Sequence, residues 1–360
     1  MRNIIIIAII AGIFCTTFAK TNVCGDVSGV WKRRKSPYYV TDHIRIPSGE
    51  RLIIQPGCRI IFKGTYYGFH IDSNATLIAV GTEKRPIYFV PEDESSSHHG
   101  IRFSYAAEGC SLSYCHIEGG VATGFAITDC GGGVICNHSN PTIANCAITG
   151  NKSAGTWGYG GGICCFNSNP IIVDNVITKN AANHYGGGIV CYDHSSPVIV
   201  NNVISSNSSR WGGGIACYNN SNPEIIGNTF LGNTAEGGGA IFCESSNPII
   251  ADNLFANNSA AGSAGESWGG AIYCDKSSSA LINNTITENS ARYDGYGGAI
   301  FCWKASKLKL LNNIIWGNEA AEGKEIFIGH SSSDMDIPSP CTLFIAYTDL
   351  DTMECVVGEE

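Results

Sequence analysis

The stretch GGGIVCYDHSSPVIVNNVISSN begins at Gly186, and GGGIACYNNSNPEIIGNTFLGN begins 26 residues later at Gly212. No other feature restricts the fold as much as this repeat. Aligned on the paired glycines, Cys136, Cys165, Cys191, Cys217, Cys243, Cys274 and Cys302 fall in one column, separated by 29, 26, 26, 26, 31 and 28 residues. Two places before each cysteine stands an apolar residue: Val134, Ile163, Ile189, Ile215, Ile241, Ile272 or Ile300. Two asparagine columns accompany them. One holds Asn175, Asn202, Asn228, Asn253, Asn284 and Asn313; the other holds Asn151, Asn180, Asn207, Asn233, Asn258, Asn289 and Asn318.

A period of this size with no helical segment inside it specifies a solenoid of short strands. Abundant Ile, Val and Thr, punctuated by Gly, Asn and Pro, and a shortage of Leu, Lys and Glu point the same way. Apolar residues alternate within each unit, so one face of each strand points inward. Units stacked at about 4.8 Å place Ile on Ile, Cys on Cys and Asn on Asn. Each Asn amide can then bond to its neighbour along the stack or to turn backbone. The paired glycines permit a bend at positive φ or a close backbone approach. The third position needs only a small residue, because Ala240, Ala271 and Ala299 replace glycine there.

These repeats resemble the right-handed parallel β-helix proteins of the pectin-lyase-like superfamily. The GG[GA]I motif, with FLGN at Phe230 and LFANN at Leu254, is similar to the GGAI and FxxN repeats of bacterial polymorphic outer-membrane proteins. The resemblance covers residues 131–318 and implies an all-β, right-handed, single-stranded parallel β-helix with regular repeats over that span. Residues 20–130 are expected to supply an N-terminal cap and less regular coils, since an open terminal coil is an unpaired sheet edge. Residues 319–360 hold the last coil, ending in a strand that starts and stops, as expected of a fragment of a longer chain or else of a minimal C-terminal cap.

Residues 1–19 read as a secretory signal: Arg2, an apolar run from residue 4 to 14, and small residues around Ala19. The expected location is therefore outside the cell or on a bacterial cell surface. No later stretch is apolar enough to span a bilayer. The formal charge of −9 becomes −10 without Arg2, which disfavours nucleic acid and anionic lipid as partners. The basic run Lys32-Arg33-Arg34-Lys35 reads as a solvated loop. Seventeen cysteines in an exported chain would ordinarily suggest disulfides. In-register neighbours, however, have parallel Cβ vectors that suit a disulfide poorly, so the column is expected to be a ladder of buried thiols. None of these cysteines has the spacing of a tetrahedral metal site. Cys24, Cys58, Cys341 and Cys355 lie outside the repeat, where a disulfide is possible.

Three outward features bear on function. Tyr159, Tyr185, Trp211, Trp268 and Tyr296 directly precede the glycines, with Gly237 as the exception. Stacked a coil apart, these rings could carry sugar rings, or could simply shield the glycine turn. Phe166, Tyr192, Tyr218, Phe242, Tyr273, Phe301 and Trp303 occupy outward places on the cysteine strands. Glu244 and Asp275 are equivalent outward residues in adjacent coils, with Lys276 and Lys304 one step further. Such a pair could hold Ca²⁺ or act as glycosidase carboxylates. The catalytic patterns of the resembled family do not carry over. The NTD, DD, GHG and RIK set of polygalacturonases is missing, as is the Asp and Arg arrangement of pectate lyases. His98-His99-Gly100 reads as structural. The expectation is a non-catalytic adhesion or carbohydrate-binding protein without cofactor or metal, whose partner is a polysaccharide or cell-surface glycan. The alternative is a polysaccharide lyase or glycoside hydrolase with a divergent site. The oligomeric state is open at this level.

Overall fold

The computed structural model describes residues 20–93, 95–124, 130–156, 158–262, 267–330, 341–350 and 355–359; residues 1–19, expected to be a secretory signal, lie outside them. Among the described residues the only helical turn is Arg33–Lys35, inside the exposed basic run. No helix there is long and apolar enough to cross a membrane. The strands there are mostly short and pair in parallel. A representative coil contains Ile189–Tyr192, Val198–Val200 and Val203–Ser205, which we call its first, second and third strands. Each lies beside its counterpart in the coils before and after, with no slip of register. Cys136 through Cys302 are thereby superposed, each paired with the next.

The second strands make a 12-stranded sheet from Gly29–Trp31 to Thr342–Ala346. The first and third strands belong to one 24-stranded network. The long strand Tyr38–Ile46 joins them, pairing with Arg59–Phe62 at its start and Phe69–Ile71 at its end.

Why the chain turns where it does follows from the glycines. Gly186 has φ +65°, and a Cβ there would come within 2.1 Å of the Ile189 carbonyl oxygen. Gly187 is needed for a different reason: its Cβ would meet the Gly213 and Ser208 carbonyl oxygens at 2.5 Å. A side chain at that place would force neighbouring coils apart.

Polar ladders run inside the turns. Asn202 donates both its backbone N–H (2.8 Å) and its Nδ2–H (3.0 Å) to Asn228 Oδ1, and Nδ2 also donates to the Ile172 carbonyl (2.9 Å). The second column repeats the pattern, as in Asn207 to Asn233. These amides are buried, so each needs its partners in full; an unmet one costs about 1–3 kcal/mol. Before Asn175 the first column continues in sulfur: Cys146 N–H donates to Asn175 Oδ1 (2.8 Å), and Cys115 N–H reaches Cys146 Sγ (3.4 Å). At the far end Glu325 closes the second column, accepting Asn318 Nδ2–H at 2.6 Å.

A third ladder is absent from the sequence reading. Ser139, Ser168, Ser195, Ser221, Ser246, Ser277 and Ser306 are linked by N–H to Oγ bonds of 3.0–3.2 Å. The serine follows the ladder cysteine by three residues in some coils and four in others, which blurs the column in a linear alignment. The seven ladder thiols are wholly or almost wholly buried and form no disulfide, and burial pushes Cys136 and Cys191 well above the ordinary thiol range.

Candidate functional site

The outer side of the first-strand sheet carries the aromatic residues, arranged in three columns. The residues before the glycines bridge in the order Tyr159, Tyr185, Trp211, Gly237, Trp268, Tyr296, Glu322. The residue between Ile and Cys makes a middle column: Ile135, Cys164, Val190, Ala216, Phe242, Tyr273, Phe301, Phe327. The residue after Cys makes the third: Asn137, Phe166, Tyr192, Tyr218, Glu244, Asp275, Trp303.

Both flanking columns lean over the middle one. Tyr185 stacks on Tyr218 (5.1 Å) and reaches Phe242 (5.9 Å); Trp211 packs on Phe242 (5.2 Å), and Tyr296 on Phe327 (4.8 Å). The result is a second hydrophobic cluster outside the main core. Phe242, Tyr273 and Phe301, expected on an exposed face, are buried at 3%, 7% and 1% exposure. They point outward from the sheet but are covered by neighbouring rings. Cys164 shares this fate, so that both members of the Cys164-Cys165 pair are buried, one on each side of the sheet.

The five expected ligand-binding rings divide accordingly. Tyr159 is corrected: at 5% exposure it sits against Tyr185 (5.1 Å, edge-on) and Tyr192 (5.4 Å) and offers no free face. Tyr185, Trp211, Trp268 and Tyr296 stay half-buried. They do not form an even stack one coil apart. Gly237 leaves a gap in which Trp211 and Trp268 face each other at 5.8 Å and 20° across two coils. A Cβ on Gly237 would lie 2.6 Å from the Trp211 ring. Arg210, paired with Glu236 at 2.9 Å, stands over the Trp211 ring at 5.6 Å.

Glu244 and Asp275 are register neighbours beside this cluster, between Tyr218 and Trp303. Burial raises the Glu244 carboxyl above the usual carboxylate range, and Asp275 adds to the rise against the opposing pull of Lys276 and Lys304. Among the described residues no three His, Cys, Asp or Glu side chains gather as metal ligands.

Toward the N-terminus the same face changes character. His70 pairs in register with Arg102, and His43 Nδ1 lies 3.3 Å from His70 Nε2. Arg102 donates to the carbonyls of His99 (2.9 Å) and Cys130 (3.1 Å). Burial, then the Arg102 charge, lowers His70 to about 4 and His99 to about 3, so both are neutral at physiological pH. These residues lie before the regular repeats, where no period flags them. His98 is fully buried and stacked on Phe62 at 4.5 Å. Its Nδ1 accepts from Gly100 N–H (3.0 Å), leaving Nε2–H to donate to the Glu118 carbonyl (2.9 Å).

Residues 44–233 and 201–315 match the family described as the right handed beta helix region. A crystal structure of pectate lyase Pel9A is similar at 12% identity, over 83% of this chain and 71% of that one, with a TM-score of 0.31. No curated protein sequence matches the chain. A family match over most of the length, together with parallel coils in register through the repeats, identifies the chain as a member of the right-handed β-helix family.

Proposed function

We propose that the protein is exported and acts outside the cell or at its surface as a non-catalytic β-helix, holding a polysaccharide or cell-surface glycan along the aromatic face. One observation carries this reading: Tyr185, Trp211, Tyr218, Trp268, Tyr296 and Trp303 each stay half-buried over five coils, that of Gly237 alone contributing no such ring. Five coils at about 4.8 Å per step give a strip about 19 Å long, the reach of an oligosaccharide. Ring faces take pyranose C–H surfaces, and the Glu244 and Asp275 carboxyls accept sugar hydroxyls. A glycan array with the 20–360 protein tests the claim. Trp268→Ala and Tyr218→Ala are each expected to lower retention about tenfold. No retained glycan, or retention indifferent to both changes, overturns it.

A second reading rests on Glu244, whose raised carboxyl beside Asp275 has the character of a general acid paired with a second carboxylate. It makes the protein a glycoside hydrolase acting on the same face. Release of reducing ends that disappears in Glu244→Gln supports hydrolysis; no product from any polysaccharide retained by the array removes it.

A further inference from the structure

The outer side of the second-strand sheet carries two largely apolar columns, bordered in its last coils by exposed Ser278, Lys307 and Thr342. Its outward residues run in pairs along the stack: Ile171 and Val173, Val198 and Val200, Glu224 and Ile226, Ile249 and Ala251, Ala280 and Ile282, Lys309 and Leu311, Phe344 and Ala346. Unlike the aromatic face, it is not self-covered. Ile171, Ile249 and Phe344 are 48%, 46% and 56% exposed. Within these two columns only Glu224 and Lys309 break the apolar surface, and both are exposed; Lys307, also exposed, stands outside them, two residues earlier on the Lys309 strand. Among the described residues neither joins an ion pair within the chain, and the Lys309 ammonium merely stands 6.0 Å from the Phe344 ring. Seven coils at about 4.8 Å make a flat strip about 30 Å long. Corrugated by its side chains, such a strip offers on the order of 600–800 Å², near the ~800 Å² per partner of a standard interface. Monomers rarely expose a contiguous apolar patch of that size.

We infer that this face docks a second copy of the chain, sheet against sheet, with the two stacks running in opposite directions. The charges select the arrangement. Glu224 and Lys309 lie in the same outward column, separated by the coils of Ile249 and Ala280. A two-fold axis along the strand direction, midway between those two coils, sets each column on its own copy in reverse. Glu224 then faces the second copy's lysine at 309, and Lys309 faces its glutamate at 224, while Ile249 lies over Ala280. A symmetric interface makes this pair twice, so both charges of the column are met and the other contacts between the paired columns are apolar.

Sedimentation equilibrium of the 20–360 protein tests this. A dimer is expected at ~50 µM, with its dissociation constant raised about tenfold or more by Glu224→Lys or Lys309→Glu alone. The double exchange restores the opposite-sign pairing and is expected to return dimerisation to within about threefold of the original protein. Both positions are exposed, so far-ultraviolet circular dichroism should be unchanged in all three variants. A monomer at ~50 µM, whether or not it sediments with phosphatidylcholine vesicles or crystalline cellulose, overturns the inference. A dimer indifferent to the single changes, or not rescued by the exchange, overturns it equally.

Discussion

Two outer faces of the same solenoid meet solvent in opposite ways. On the first-strand sheet, large rings in the flanking columns fold over the middle column, and Phe242 is left 3% exposed although it points away from the core. On the second-strand sheet the outward apolar side chains are mostly Ile, Val, Leu and Ala, no layer of rings covers them, and Ile249 stays 46% exposed. Both faces are apolar, yet only the first has made its own cover. An outward apolar ladder thus becomes structural when its side chains are long enough to lean on one another, and otherwise remains a surface.

The hardest test of that contrast is stability. Phe242→Ala removes the ring that Tyr185, Trp211 and Tyr273 pack against. It should cost about 3–5 kcal/mol in chemical denaturation, as in a true core. A loss under ~1 kcal/mol would mean the aromatic face is no second core. Gly237→Ala is expected next, at about 1–3 kcal/mol, because the added Cβ intrudes on Trp211. It should also separate Trp211 from Trp268, weakening the paired-indole signal in near-ultraviolet circular dichroism.

Electrostatics gives a smaller effect. The Glu244 carboxyl is raised in the folded protein from a model-compound value of 4.5, so the folded state holds its proton more tightly than the unfolded chain. Stability from this group is complete below pH 4.5 and declines as pH rises through the folded value. Glu244→Gln should therefore raise the unfolding temperature at pH 7, on the order of 1 °C, and leave it unchanged at pH 4. A gain at pH 4 instead would contradict the assignment. Smallest of all, Val198→Thr on the uncovered face should change monomer stability by no more than about 0.5 kcal/mol. A larger loss, measured at concentrations below dimerisation, would show that this face too is structural.

The candidate site was legible only by column. The order Tyr185, Trp211, Gly237, Trp268 could be written down from the glycine motif, and the bridges follow it. That Tyr159 is buried could not, because its cover comes from Tyr185 and Tyr192 in the next coil. Phe166 and Phe242 look alike in sequence, both near the ladder cysteine. Two residues of offset, one after the cysteine against one before it, put them in different columns, one flanking and one covered. The second face escaped for another reason. Runs such as IIV at Ile171 and VIV at Val198 are apolar throughout, so no alternation marks which side chains leave the core.

The sequence alone settled the coil, its register and the inward ladders of isoleucine, cysteine and asparagine. A repeating unit that buries one face against copies of itself can only place like over like, so the period dictates the stack. What each outward column does was decided by tertiary structure. Cover depends on side chains from adjacent columns and from coils 26 to 31 residues away in sequence, whose reach no single repeat contains.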